Sequence, residues 1–306
     1  ILTGLVAAVP AAAQHQLRLE QVGAETDAAF RVMATLIVGP TESVLWDAQY
    51  KISDGKRLAD RIAGTGTRLK AIVISHADHD HYMGAMAVLT QFPNTPVYMA
   101  ASTLADYHER SPRDLAAERK RPGADAPDTL VAAQLLPPEP QTVDGHRLEV
   151  IADLAGDVRK PVSAALWIPS LRAALVADLA FNGIHPWLGD SDLASRSAWR
   201  ASLQRIIDLK PAIVVPGHKA DLAAPDTPEV LAAMQAYLAD FDRIMQSAAT
   251  PTARSKPSRR PSVSIRTIPR PFSTEAKSST NPSRTPPAPS TRGRSFSPSR
   301  LQAKTA

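Results

Sequence analysis

Along the first 250 residues, apolar side chains come in short blocks punctuated by turn chemistry, and the blocks switch between strand-like and helix-like spacing. Runs over 17–22, 30–38 and 42–46 read as β-strands, with Gly39-Pro40 predicting a hairpin between the last two. Ser53-Asp54 opens a helix through about residue 63 that Gly64 and Gly66 stop. The run Leu69-Lys70-Ala71-Ile72-Val73-Ile74 predicts a buried strand. A short helix over 83–91 and a strand over 96–99 follow. This alternation of strand and helix predicts α/β layering.

Residues 101–121 read as charged helix, with a restart at Ser111-Pro112, an N-cap followed by proline at the first helical position. The stretch 124–140 reads as a loop. Three more strands are predicted over 147–151, 164–168 and 173–176, with turns at Asp144-Gly145 and Pro169-Ser170. An amphipathic helix over 192–209 precedes a strand over 211–218 that breaks at Pro216-Gly217-His218. Thr227-Pro228-Glu229 caps a last helix running to residue 246.

Composition and charge divide the 306 residues unevenly. From Pro251 onward there are 12 Lys+Arg and one acid, Glu275, leaving 23 basic and 29 acidic side chains for the rest. The body is therefore mildly acidic, and the net charge of +5 belongs to the tail. Ten prolines among those 56 residues, with abundant Ser and Thr, predict a disordered basic segment over 248–306. Residues 1–14, apolar and ending in small residues, read as the remnant of a secretory signal, which implies a periplasmic or secreted protein. No run is long enough to span a bilayer. The absence of cysteine excludes a thiolate nucleophile, a Cys-ligated metal and any disulfide.

Candidate chemistry concentrates after the 69–74 strand, in Ser75-His76-Ala77-Asp78-His79-Asp80-His81-Tyr82-Met83-Gly84. Three histidines and two aspartates within six residues at a strand end point to a site for a divalent cation, because imidazole and carboxylate are the donors such ions prefer.

The order of these motifs resembles the metallo-β-lactamase superfamily over roughly residues 17–246, which implies an αββα four-layer sandwich over 15–247. The family's H-x-H-x-D-H loop is matched by His76, Asp78, Asp80 and His81, with Asp in the second position. Asp157, in Gly156-Asp157-Val158, stands where the family usually has His. Asp178 matches the bridging Asp, with Ala177 in place of the usual Gly, and His218 matches the last ligand. A subset of the family carries Asp at these positions and a Phe-Asn-Gly-x-His stretch, here Phe181-Asn182-Gly183-Ile184-His185.

The resemblance implies one ion held by His76, Asp78 and Asp157, a second by Asp80, His81 and His218, and Asp178 between them. It further implies a hydrolase whose metal-bound hydroxide attacks an ester, lactone, amide or phosphoester of a small-molecule substrate. Asp80 would orient that nucleophile, and His185 would line the substrate pocket. Zinc is the foremost metal, with iron or manganese as alternatives, because carboxylate-rich sites lean away from zinc. Four carboxylates also weaken the Lewis acidity of the pair, which implies a first site of reduced zinc affinity. Two other readings stay open: a di-iron redox protein on the same fold, and a non-catalytic binding protein working through its tail. No nucleic acid is expected for the folded body. Asp47 is expected either to support a ligand His or to cap a strand end. His79 is expected to face solvent and Tyr82 to pack or to donate to an oxyanion. His15, His108 and His146 are expected on the surface.

Overall fold

The computed structural model describes residues 16–24, 30–121, 124–158 and 160–249. The expected signal remnant, His15 and the basic tail beyond residue 249 lie outside the described residues. The chain forms β1 (Arg18–Gly23), β2 (Met33–Val38), β3 (Glu42–Trp46), α1 (Ile52–Gly64), β4 (Arg68–Ile74), α2 (His79–Tyr82), α3 (Ala85–Gln91), β5 (Val97–Met99), α4 (Ala101–Glu118) and β6 (Ala133–Leu135). The second half forms β7 (Gln141–Val143), β8 (His146–Leu154), β9 (Ser163–Ile168), β10 (Ala173–Asn182), α5 (Leu193–Asp208), β11 (Ile213–Lys219) and α6 (Glu229–Ala249).

Strands β1 to β6 make one sheet in sequence order, antiparallel as far as β3 and parallel from β3 onward. The other sheet runs β11-β10-β9-β8-β7, with only β10 and β11 parallel. Side-chain alternation builds the layers. Leu36, Leu45, Ile72 and Ile74 point outward onto Leu58 and Ile62 of α1, Val88 of α3 and Tyr107 of α4. Their neighbours Ile37, Val44, Trp46 and Val73 turn the other way and meet Leu148, Leu166, Leu175 and Val215 between the sheets. Ala174, Val176 and Val214 face Trp199 and Leu203 of α5 and Leu231 and Leu238 of α6. Helix, sheet, sheet and helix therefore stack as the αββα order that the sequence implied. Strands buried on both faces lose polar alternation, which is why they read as continuous apolar runs.

Several local expectations are corrected. Phe30 and Arg31 both have φ 54, a left-handed turn that a strand cannot contain, so β2 starts at Met33. Helix α4 runs unbroken through Pro112 with no restart at Ser111. Proline removes one backbone donor there, but Tyr107, Ser111 and Leu115 are buried around it and Tyr107 Oη donates to the Val131 carbonyl at 3.0 Å. The expected loop over 124–140 contains β6, three residues pairing with β5, one half-buried and two exposed, too short to show a period. The histidine-rich loop carries a single helical turn, α2, and the strand expected to end at residue 176 continues to Asn182.

Candidate metal centre

Four segments deliver the chemistry-bearing side chains to one rim of the sandwich. Past the end of β4, His76 is followed by Asp78 at the N-cap of α2, which carries Asp80 and His81. Asp157 stands in the connection from β8 to β9, Asp178 lies within β10, and His218 within β11. The register of β10 on β11 slips on either side of Ala177, which has φ +45. Beside that irregularity β11 must pass very close: a Cβ on Gly217 would lie 2.1 Å from Asp178 Oδ1 and 2.6 Å from the Ala177 carbonyl carbon. Only glycine fits between His218 and Pro216.

Seven of the eight residues singled out from sequence converge. Their donor atoms form three overlapping groups, His76/Asp78/Asp157, Asp80/His81/His218 and His76/His81/Asp178, each with atoms within 4.8 Å of one another. Asp178 is central. Its Oδ1 lies 3.1 Å from His81 Nε2, and its Oδ2 lies 3.2 Å from His218 Nε2 and 3.7 Å from His76 Nε2. Asp80 Oδ2 stands 3.6 Å from His218 Nε2, and Asp78 Oδ2 stands 3.8 Å from His76 Nε2.

Behind the rings, a hydrogen-bond network sets which nitrogen faces inward. Buried Asp47 accepts from the Ser75 backbone N–H at 2.8 Å, the Ser75 hydroxyl at 2.8 Å and His81 Nδ1 at 2.8 Å. Because the Ser75 proton is committed to Asp47, His76 Nδ1 must donate to Ser75 Oγ across 2.9 Å. His218 Nδ1 donates to the Phe30 carbonyl at 2.7 Å. All three imidazoles therefore turn Nε2 to the centre, the arrangement that outer partners impose on metal-binding histidines. The turn at Phe30 and Arg31 that shortens β2 is what presents that carbonyl.

Buried polar atoms without partners mark the space between. His76 Nε2, His81 Nε2, Asp157 Oδ1 and Asp178 Oδ1 are all sequestered and make no hydrogen bond. Such atoms are costly to bury unless something charged meets them. The electrostatics agree. Burial pushes the Asp178 carboxyl up, yet His218 and His81 hold it well below the usual carboxylate range. Burial disfavours a charged His81, but Asp178, Asp47 and Asp80 raise it well above an ordinary imidazole, and Asp178 likewise raises His218 against burial. Burial, together with Asp178 and Asp78, pushes Asp157 well above the usual range. The centre thus retains protons where positive charge is wanted, the behaviour of a donor set that exchanges protons for a cation. Its nitrogen and oxygen donors fit a divalent metal.

A family model described as the metallo-beta-lactamase superfamily matches residues 28–218, more than half of the chain. The chain belongs to the metallo-beta-lactamase superfamily. Among curated proteins, none matches it in sequence. Solved structures similar to this superfamily member include a metallo-beta-lactamase from Pontibacter korlensis, at 19% identity over 68% of this chain and 87% of that one, with a TM-score of 0.51. A metallo-beta-lactamase family protein from Thermus thermophilus shares 18% identity over 76% of this chain and 83% of its own, with a TM-score of 0.55. A double mutant of the sec-alkyl sulfatase PisA1 shares 20% identity over 72% of this chain and 41% of its own, with a TM-score of 0.52. At these identities the likeness is one of fold.

The eighth residue, His185, is not in the metallo-beta-lactamase-like cluster. It is exposed, its Nδ1 is 2.9 Å from Tyr237 Oη, and it lines a cavity of about 320 Å³ with Phe181, Ile184, Pro186, Met234 and Tyr237. Phe181 joins the two regions, since its ring stacks on that of His218 at 5.1 Å and 7°. His79 does not face solvent as expected; it packs edge-on to Tyr50 at 5.0 Å, with Nε2 3.8 Å from Glu118. Tyr82 is buried against Tyr107 at 5.0 Å, which satisfies the packing alternative. His108 is exposed and His146 half-buried. Asp47 takes the supporting role. Sequence reasoning missed Ser75 as the link to His76, though it adjoins the motif, and missed Arg110, whose partner Asp78 is 32 positions away.

Proposed function

We propose that this chain is a hydrolase that works with one or two divalent metal ions on a small-molecule ester, lactone, amide or phosphoester. The observation that carries the reading is the convergence of three inward-facing Nε2 atoms and four carboxylates on one buried rim, four of their atoms lacking any partner. His76, Asp78 and Asp157 would hold one ion, and Asp80, His81 and His218 another, with Asp178 reaching both groups. When bound, the ions supply positive charge that acidifies a water and stabilises the anion developing on the substrate. The chain's own residues do the rest. Asp47 and Ser75 hold His81 and His76 in the donor tautomer, and the Asp80 carboxylate would accept and orient a proton of the attacking water. The cavity beside His185, walled by Phe181, Ile184, Pro186 and Met234, would take an apolar part of the substrate, with His185 and Tyr237 as its polar handles.

Zinc is the foremost metal, and the carboxylate excess favours iron or manganese more than a histidine-rich site would. That excess also supports a second reading, a di-iron redox protein on the same fold. Metal analysis of the purified chain, paired with hydrolysis assays on ester, lactone, β-lactam and phosphodiester substrates, separates the two. Metal-dependent hydrolysis that chelation abolishes and re-addition restores is the expected result. Iron as the resident metal with no hydrolysis, or hydrolysis that survives Asp80→Ala, would refute the proposal.

A further inference from the structure

Arg110 sits on α4, away from every motif above, yet its Nη2 donates to Asp78 Oδ1 at 2.6 Å. The guanidinium is held in place before it meets Asp78. Nη1 donates to Asp106 Oδ2 at 3.1 Å and Nε lies 3.9 Å from Asp114 Oδ2. Those two acids stand one turn before and one turn after Arg110 on the same helix face. Asp78 itself is the N-cap of α2, with φ −80 and ψ 136. An aspartate there ordinarily turns back to accept from a backbone N–H two or three residues on. Asp78 makes no such bond. Its Oδ1 goes to Arg110, and its Oδ2 faces His76 Nε2 at 3.8 Å. Two destinations compete for one carboxylate, and the charge-assisted bond to a guanidinium is the stronger.

We infer that Arg110 is a positioning residue that makes an aspartate usable at this point of the centre. It draws Asp78 off the helix cap and aims the second oxygen into the group with His76 and Asp157. Remove Arg110 and the carboxylate returns to the N-cap of α2, leaving that group with two members. Asp80, His81 and His218 have no contact with Arg110 among the described interactions, so their group is untouched. An imidazole at position 78 needs no such tether, which makes Asp78 and Arg110 a functional pair. The inference rests on the metal reading above, and its test separates the two.

The full-length chain is titrated with Zn²⁺ and with Mn²⁺, and bound ions are counted by calorimetry and elemental analysis. Wild type is expected to show two classes of site. Arg110→Met is expected to weaken one class by about 10- to 100-fold, the usual effect of losing a residue that orients a ligand, and to leave the other within twofold. The double variant D78H/R110M, which also lacks the arginine, is expected to bind two ions again. Three results would overturn the role of Arg110: R110M binding as wild type does, R110M losing both classes alike, or D78H/R110M as deficient as R110M. A wild-type chain with a single class of site would overturn it too. A wild-type chain that binds no ion would overturn the metal centre itself.

Discussion

Exchanging Asp47 for asparagine alters one atom behind two of the three imidazoles. Asp47 Oδ1 accepts from the Ser75 backbone N–H, and an amide oxygen keeps that bond. Oδ2 accepts from both Ser75 Oγ and His81 Nδ1, and in Asp47→Asn an amide N–H₂ stands in its place, a donor facing two donors. Asp47 is 1% exposed, so bulk solvent does not reach the mismatched pair. The cheapest repair is for the Ser75 hydroxyl to accept from the amide and donate to His76 Nδ1, while His81 Nδ1 becomes an acceptor. Both rings then carry their proton on Nε2, the atom needed for a metal. Losing one supporting partner ordinarily costs about 10- to 100-fold in metal affinity, and here two rings are misassigned together. A loss of at least about 10²-fold, or about 2.7 kcal/mol, is expected. Calorimetric titration gives the affinity, and long-range ¹⁵N–¹H spectra of the ion-free protein, recorded above the pH at which both rings have lost their second proton, read the tautomers. Affinity within threefold of wild type, with Nδ1–H tautomers retained on His76 and His81, would refute the reasoning.

Other perturbations test the scaffold. Gly217→Ala places a methyl against Asp178 Oδ1 and the Ala177 backbone, neither of which can yield, so a loss of about 2–3 kcal/mol in chemical denaturation and weakened ion binding are expected. Ala177→Gly relieves a φ of +45 that costs an L-residue roughly 1–2 kcal/mol, partly offset by the freer unfolded chain, so a small rise in stability of up to about 1 kcal/mol is expected where glycine in a strand usually destabilises. Burial pushes the Asp242 carboxyl up, but Arg200 and Arg196 outweigh it and hold the pKa below the usual value. Because the folded pKa is depressed, its stabilisation is complete above the unfolded pKa of about 3.9 and is lost as pH falls through the folded value. Thermal melts of wild type and Asp242→Asn should differ widely at pH 7, where buried Arg196 loses its carboxylate partner, and draw together only as pH falls from about 3.9 down through the depressed folded pKa.

Much of this centre was legible because its residues are unusual where they stand. Histidines and aspartates crowded at the end of an apolar strand have few other uses, while Asp157, Asp178 and His218 were reached through the order of motifs that resembles the family. The strands were legible because burial on both faces leaves them uniformly apolar. What escaped depends on partners distant in the chain. Nothing near Arg110 reveals that it reaches Asp78, because the pairing exists only once α4 lies beside the β4 loop. Pro112 misled because a local rule for helix starts was overridden by burial of Tyr107, Ser111 and Leu115. Strands β6 and β7 have three residues each, less than two periods of alternation. Phe30 and Arg31 looked like strand from their apolar neighbours, and only the backbone shows the turn that gives His218 its acceptor.

Anomalous diffraction at the metal edge, from crystals of the chain grown with its resident metal, locates the ions themselves. The expected map has peaks within bonding distance of Asp178, one beside the Nε2 atoms of His81 and His218 with Asp80, and one beside His76 Nε2 with Asp78 and Asp157. Peaks confined to other surfaces, with those three nitrogens left on protons alone, would contradict the account.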